Sequence, residues 1–169
     1  MLDQSILPVA QELLTCFCTS LNANPDPPEI CCLRVGQRVS ALISANDDEC
    51  CRGLAWVRVV SDFPSNDFPE QLTTPIGNCP PGWLAVILEM GVLRCAPAGT
   101  IFDLPTCPEW TALFTTLMND SAAMRDAFCC LDLDVSAKLL GIWEPLEVEG
   151  GCTGGTRTVT VWVPSCLDC

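Results

Sequence analysis

The stretch DDECCRGLAWVRVV, Asp47–Val60, joins two adjacent cysteines to a run of alternating side chains. From Leu54 to Ser61, Ala55, Val57 and Val59 fall on one side, and Leu54, Trp56, Arg58 and Val60 on the other. A period of two predicts a half-buried strand. A similar opening, EICCLRVG, lies upstream at Glu29–Gly36, and a short run at Arg38–Ser44 is also strand-like.

The periodicity changes toward the N-terminus. Ile6, Val9, Ala10, Leu13, Leu14, Phe17 and Leu21 follow i, i+3, i+4, i+7 spacing, which predicts an amphipathic helix over residues 4–22. Ser5 or Asp3 can cap it, and Pro8 falls in the first turn, where proline is tolerated. NANPDPPE, Asn22–Glu29, stops that helix.

Downstream, the proline-bearing stretch 62–82 is too polar for a core and reads as one long loop. WLAVILEMGVLRC, Trp83–Cys95, reads as a long apolar strand with a bulge at Glu89–Gly91. Thr106 and Glu109 make a capping box that opens a second helical region. Trp110, Leu113, Phe114 and Leu117 keep helical spacing, Asn119–Asp120 is a natural break, and AAMRDAFCCL continues to about Leu131. Leu139–Val148 and Thr156–Val163 read as strands joined across GGCTGG, residues 150–155, as a glycine-rich tip. Thr156, Thr158 and Thr160 oppose Val159, Val161 and Val163, one polar face against one buried face. The fold class is α+β: an antiparallel-rich sheet with two main helices packed on one face. Residues 1–169 form a single domain, with a core over about 4–163 and a C-terminal tail at 164–169.

Composition narrows the function. The formal charge is −13, from 21 acidic residues against 8 basic ones, of which Lys138 is the sole lysine. Such a surface repels nucleic-acid phosphates. The absence of histidine removes the commonest general base and nitrogen metal ligand. The N-terminus has no basic segment before its apolar part, so no signal peptide is expected, and no apolar run reaches membrane-spanning length. Cytoplasmic synthesis follows as an expectation, with thiols starting reduced.

Fourteen cysteines leave three readings open. Zinc wants paired ligands a few residues apart, but the sole C-x-x-C, Cys166–Cys169, ends the chain and leads no helix. Buried thiols acting as small hydrophobes are a second reading. Disulfides are the third. Cys16 and Cys18 lie about 200° apart around a helix and Cys129 and Cys130 about 100° apart, so each must seek a partner on another element. Cys31, Cys32, Cys50 and Cys51 flank one loop and are the leading staple candidates. No catalytic constellation and no cofactor motif stands out; GGCTGG lacks the Lys-Ser/Thr and the following helix of a phosphate loop.

ICCLRVG, CCRGLAWVRVVSDFPS, LAVILEMGVLRC, DSAAMRDAFCCL and GGCTGGTRTVTV, taken together over about residues 5–163, resemble a cysteine-rich family of neck proteins in long-tailed bacteriophages (siphophages) of high-GC hosts. These proteins are similar in role to tail terminators. The resemblance implies a tail-terminator-like fold and a homo-hexameric ring that caps the tail tube, stops its polymerisation and docks to the head connector. Its partners would be the tail tube protein and a head-completion or stopper protein. DNA would pass through the lumen without specific binding, and no membrane, cofactor or catalytic residue is implied. The location would be the virion neck, assembled in host cytoplasm and later exposed to oxidising conditions that favour disulfides. Arms toward neighbours are expected in the 62–82 loop, at Phe63 and Phe68, and at the hairpin tip, at Gly151, Thr153 and Thr156. An adaptor or stopper in the same neck, or a small metal-binding or redox module, is the alternative.

Overall fold

The computed structural model describes residues 5–36, 52–73, 82–97, 104–132 and 135–165. The expected strand at Arg38–Ser44 lies outside them, as do Cys50 and Cys51. The elements run α1 (Ile6–Asn22), β1 (Ile30–Leu33), β2 (Leu54–Pro64), β3 (Trp83–Cys95), α2 (Cys107–Cys130), β4 (Ala137–Glu149) and β5 (Cys152–Pro164). One five-stranded sheet, ordered β1-β2-β3-β5-β4, carries both helices on the same face. All pairings are antiparallel except β1 with β2. The α+β class expected from the sequence is the class observed. Among the described residues, no helix is long and apolar enough to cross a membrane.

Periodicity explains the core directly. The helical stripe on α1 buries Val9, Ala10, Leu13, Cys16, Phe17 and Leu21. The alternate residues Ala55, Val57, Val86, Leu88, Met90, Val92, Val159, Val161 and Val163 rise from the sheet to meet it. Only the second half of α2 joins this core, through Ala123, Met124 and Ala127, with Leu131 at its C-cap. The two helices run antiparallel, because Cys16 bonds to Cys130 while Asn24 reaches Asp120.

Three local expectations change. First, α2 does not break at Asn119–Asp120. Asp120 is 2% exposed and takes two hydrogen bonds from Arg94 on β3, at 2.8 and 2.7 Å. A buried, bidentate partner turns a residue that disfavours helix interiors into an anchor. Second, the bulge lies in β2 between Val59 and Ser61, not at Glu89–Gly91. Glu89 and Gly91 are held in register by what stands opposite. Arg58 donates twice to Glu89, at 2.6 and 2.7 Å, and Trp56 lies over Gly91 and donates its indole N–H to Glu89. Third, the hairpin tip is only Gly150–Gly151, both at positive φ, as a two-residue primed turn requires. Cys152–Gly155 belong to β5.

The opposite face of the sheet is covered in patches. At one end Leu54, Trp56, Leu93 and Cys152 cluster with Ile30, Cys32 and Leu146. At the other, Phe68 and Trp83 flank Trp162, whose indole N–H donates to the Ser65 carbonyl at 3.1 Å. The capping box at α2 forms as expected: the Thr106 N–H and hydroxyl both donate to Glu109, at 2.7 and 2.8 Å. Those bonds hold the Glu109 carboxyl below its ordinary pKa.

A Cβ at position 91 would stand 2.1 Å from the Trp56 ring. Gly91→Ala is therefore expected to lower unfolding free energy by about 1–3 kcal/mol, the usual scale for overpacking, measured by urea denaturation. An unchanged midpoint would show that Trp56 can leave its seat at little cost.

Candidate interaction surfaces and the cysteine network

The cysteines pair by layer rather than across the expected loop. Cys16 on α1 bonds Cys130 at the end of α2, and Cys18, on the other flank of α1, bonds Cys31 on β1. Cys32 remains a half-buried thiol, and Cys107 and Cys129 are exposed thiols. The expected bonding of Cys32 and Cys129 is thus corrected. Neighbouring strand residues point to opposite faces, so Cys31 meets the helix layer while Cys32 faces the Trp56 cluster. Cys129 is turned about 100° from Cys130 around the helix, toward solvent. Cys95 and Cys152 are also disulfide-bonded, although sequence spacing does not single them out.

Among the described residues, no group of three or more Cys, Asp or Glu side chains is placed to hold a metal ion. A shallow cavity of about 30 Å³, lined by Asn24, Pro25, Asp26, Thr116, Asn119 and Asp120, has room for one water. That is far below the several hundred Å³ typical of a ligand pocket.

The outer surface offers more. The first half of α2 projects past the core, leaving Phe114 61% and Trp110 42% exposed beside Leu104 at 78%. From Cys107 to Met118 its sole charged residue is Glu109. The edge strand β4 exposes Ile142 (74%), Val148 (55%) and Leu139 (48%). Its Pro145 and exposed Glu144, Glu147 and Glu149 blunt the open edge against indiscriminate pairing.

The five expected arm residues divide. Gly151 is exposed at the tip and Thr156 is half-buried on β5. Thr153 is buried and donates to the Leu146 carbonyl at 2.9 Å, so it faces its own hairpin and is withdrawn as a contact residue. Phe63 lies within β2 opposite Ala85, and Phe68 packs toward Trp162 with ring centroids 6.2 Å apart. The start of the 62–82 stretch is therefore strand, and the part near Phe68 folds onto the sheet. Sequence reasoning missed the apolar outer side of α2 because Trp110, Leu113, Phe114 and Leu117 also satisfy the pattern of a core-facing helix.

No protein-family model matches this chain, and no curated protein matches it.

Alkylation before reduction of the oxidised protein is expected to label Cys32, Cys107 and Cys129 and to leave the Cys16–Cys130 and Cys18–Cys31 links intact in peptide mass spectrometry. The Cys16–Cys130 bridge spans 114 residues. Cys16→Ser is expected to cost about 3–5 kcal/mol of unfolding free energy on the loop-closure model, whereas Cys129→Ser should stay within about 0.5 kcal/mol. Label on Cys16 in the oxidised wild type would refute the pairing.

Proposed function

We propose that this chain is a structural subunit of the head–tail neck of a long-tailed bacteriophage, acting as a tail terminator. In this reading copies close into a six-membered ring on the end of the tail tube. One ring face copies the surface that the next tube ring would bind, and the other meets the head connector. Rotation of heterologous contacts closes the ring, so no chemistry is required and the protein is not an enzyme.

The observation that carries the reading is the nearly uncharged, apolar outer half of α2, together with the exposed apolar residues of β4. Monomeric proteins seldom leave Phe114, Trp110, Leu104 and Ile142 this open. On a chain of formal charge −13, such a surface is where copies can approach without mutual repulsion. The order of elements, a helix, strands, a second helix and a hairpin, agrees with the family that the sequence resembles. The acidic balance suits a channel that DNA crosses without sticking.

Reconstruction of an intact neck is expected to show six copies of this chain between tube and connector. Deletion of its gene is expected to give tails of abnormal length, or unjoined heads and tails, with DNA-filled heads. One copy or twelve in the neck would end the terminator reading, and empty heads would move the chain to an upstream connector.

A further inference from the structure

The cations of this acidic protein are unevenly matched. Arg52 pairs with Glu29, Arg58 with Glu89, and Arg94 with Asp120. Among the described residues, Arg125, Lys138 and Arg157 have no carboxylate partner, and all three lie where the second half of α2 crosses the β4–β5 hairpin. Arg157 donates to the Ser121 hydroxyl at 3.2 Å and to the Gly141 carbonyl at 3.3 Å. Arg125 reaches the same hydroxyl at 3.5 Å. Two guanidiniums thus converge on one neutral oxygen, and the Arg157 Nε is buried without any hydrogen-bond partner among the described residues. Desolvation, with the nearby charge of Arg125 adding to it, lowers the Arg157 pKa from its ordinary value. Lys138 closes the far end by donating to the Phe128 and Leu131 carbonyls.

The complementary surface is on the same chain. β4 continues past this point as EPLEVE, Glu144–Glu149, with exposed carboxylates at Glu144, Glu147 and Glu149 and no cationic partner for any of them among the described residues. Glu144 cannot serve the arginines of its own chain. Glu144 stands opposite Thr156, on the sheet face away from the helices, whereas Arg157 stands opposite Trp143 on the helix side.

We propose that Arg125 and Arg157 form a carboxylate-binding site for the acidic half of β4 of a second copy of this chain, where a glutamate enters between the two guanidiniums. The exposed apolar side chains of the same strand, Ile142 next to the Gly141 carbonyl that Arg157 reaches and Val148 among the glutamates, would close over the charge pairs. A nucleic-acid phosphate is disfavoured here, because the two arginines sit beside three free carboxylates on a chain of charge −13. The inference rests on the multi-copy reading above and adds to it the surface and the register.

Self-association is measured by sedimentation at low ionic strength for the wild type, for Arg125→Glu, and for the triple variant E144K/E147K/E149K. Arg125 and the three glutamates are exposed, so both variants should keep the wild-type circular dichroism. The wild type should associate, and each variant alone should associate roughly tenfold more weakly or worse, as expected for loss of a close charge pair. Mixing the two variants should restore association. The carboxylate introduced by Arg125→Glu then faces the lysines of the triple variant, while the intact arginines of the one face the intact glutamates of the other. Variants that assemble like the wild type overturn the proposal, as does a mixture that fails to recover. A wild type that stays monomeric up to about 1 mM, which is about 4.1 kcal/mol of binding free energy, overturns it as well. The ring reading is judged separately, by copy number in the neck: six copies formed with Arg125→Glu would sink the surface and leave the ring standing.

Discussion

The ion pair between Arg94 and Asp120 sets the position of the helix layer on the sheet. Arg94 is 5% exposed and Asp120 2%, and removing one partner would strand the other charge in the interior. Such losses cost about 3–5 kcal/mol, enough to outweigh a helix break favoured by local sequence. Everything nearby conforms to this pair. Asn24 donates to Asp120 at 3.4 Å and Asp26 approaches Arg94 at 3.6 Å, so the turn after α1 is drawn to the same point. Gly53 is glycine at φ +78°, where a side chain would press on the Arg94 guanidinium and on Pro28. With α2 pinned at Asp120, its later turns bury Ala123, Met124 and Ala127, and its earlier turns must overhang.

That overhang is the structural origin of the proposed role. A helix whose second half is fixed to the sheet and whose first half carries Trp110 and Phe114 outward presents a rigid apolar edge rather than a mobile one. The capping box at Thr106 and Glu109 keeps the projecting end helical without help from the core. The matching feature on the hairpin is β4, an edge strand that is apolar at Leu139 and Ile142 and acidic from Glu144 onward. Assembly by such surfaces depends on shape and charge order.

Much of this was legible in the residues, because repeating patterns report local geometry. The stripe on α1, the alternation in LAWVRVV, the capping box and the paired runs of the final hairpin each encode an element within a dozen residues. What escaped was long-range. Asn119–Asp120 looks like a break until Arg94, far away in sequence, is placed beneath it. The bulge at Val60 follows from Arg58 holding Glu89 and Trp56 covering Gly91, neither visible along one strand. β1 is four residues with no readable period, too short to announce its parallel pairing with β2. The cysteines make the same point. Spacing showed that Cys16, Cys18 and Cys130 need partners elsewhere, but only the packing of α1 between α2 and β1 says which. The arm residues failed at Thr153 because the turn is two residues long, which returns GGCTGG mostly to the strand.

The bridge between Cys16 and Cys130 also governs how the chain carries tension. A pull applied between the start of α1 and the β4–β5 hairpin passes from residue 16 through the sulfurs to residue 130. The chain between the two cysteines then lies in a covalent loop off the line of force. β2 lies within that loop, while β3 and the buried Arg94 still feel the pull through the ladder that joins β3 to β5. Stretched between two bodies, the oxidised protein would transmit force as a short strut, and the reduced one as a chain that can unravel.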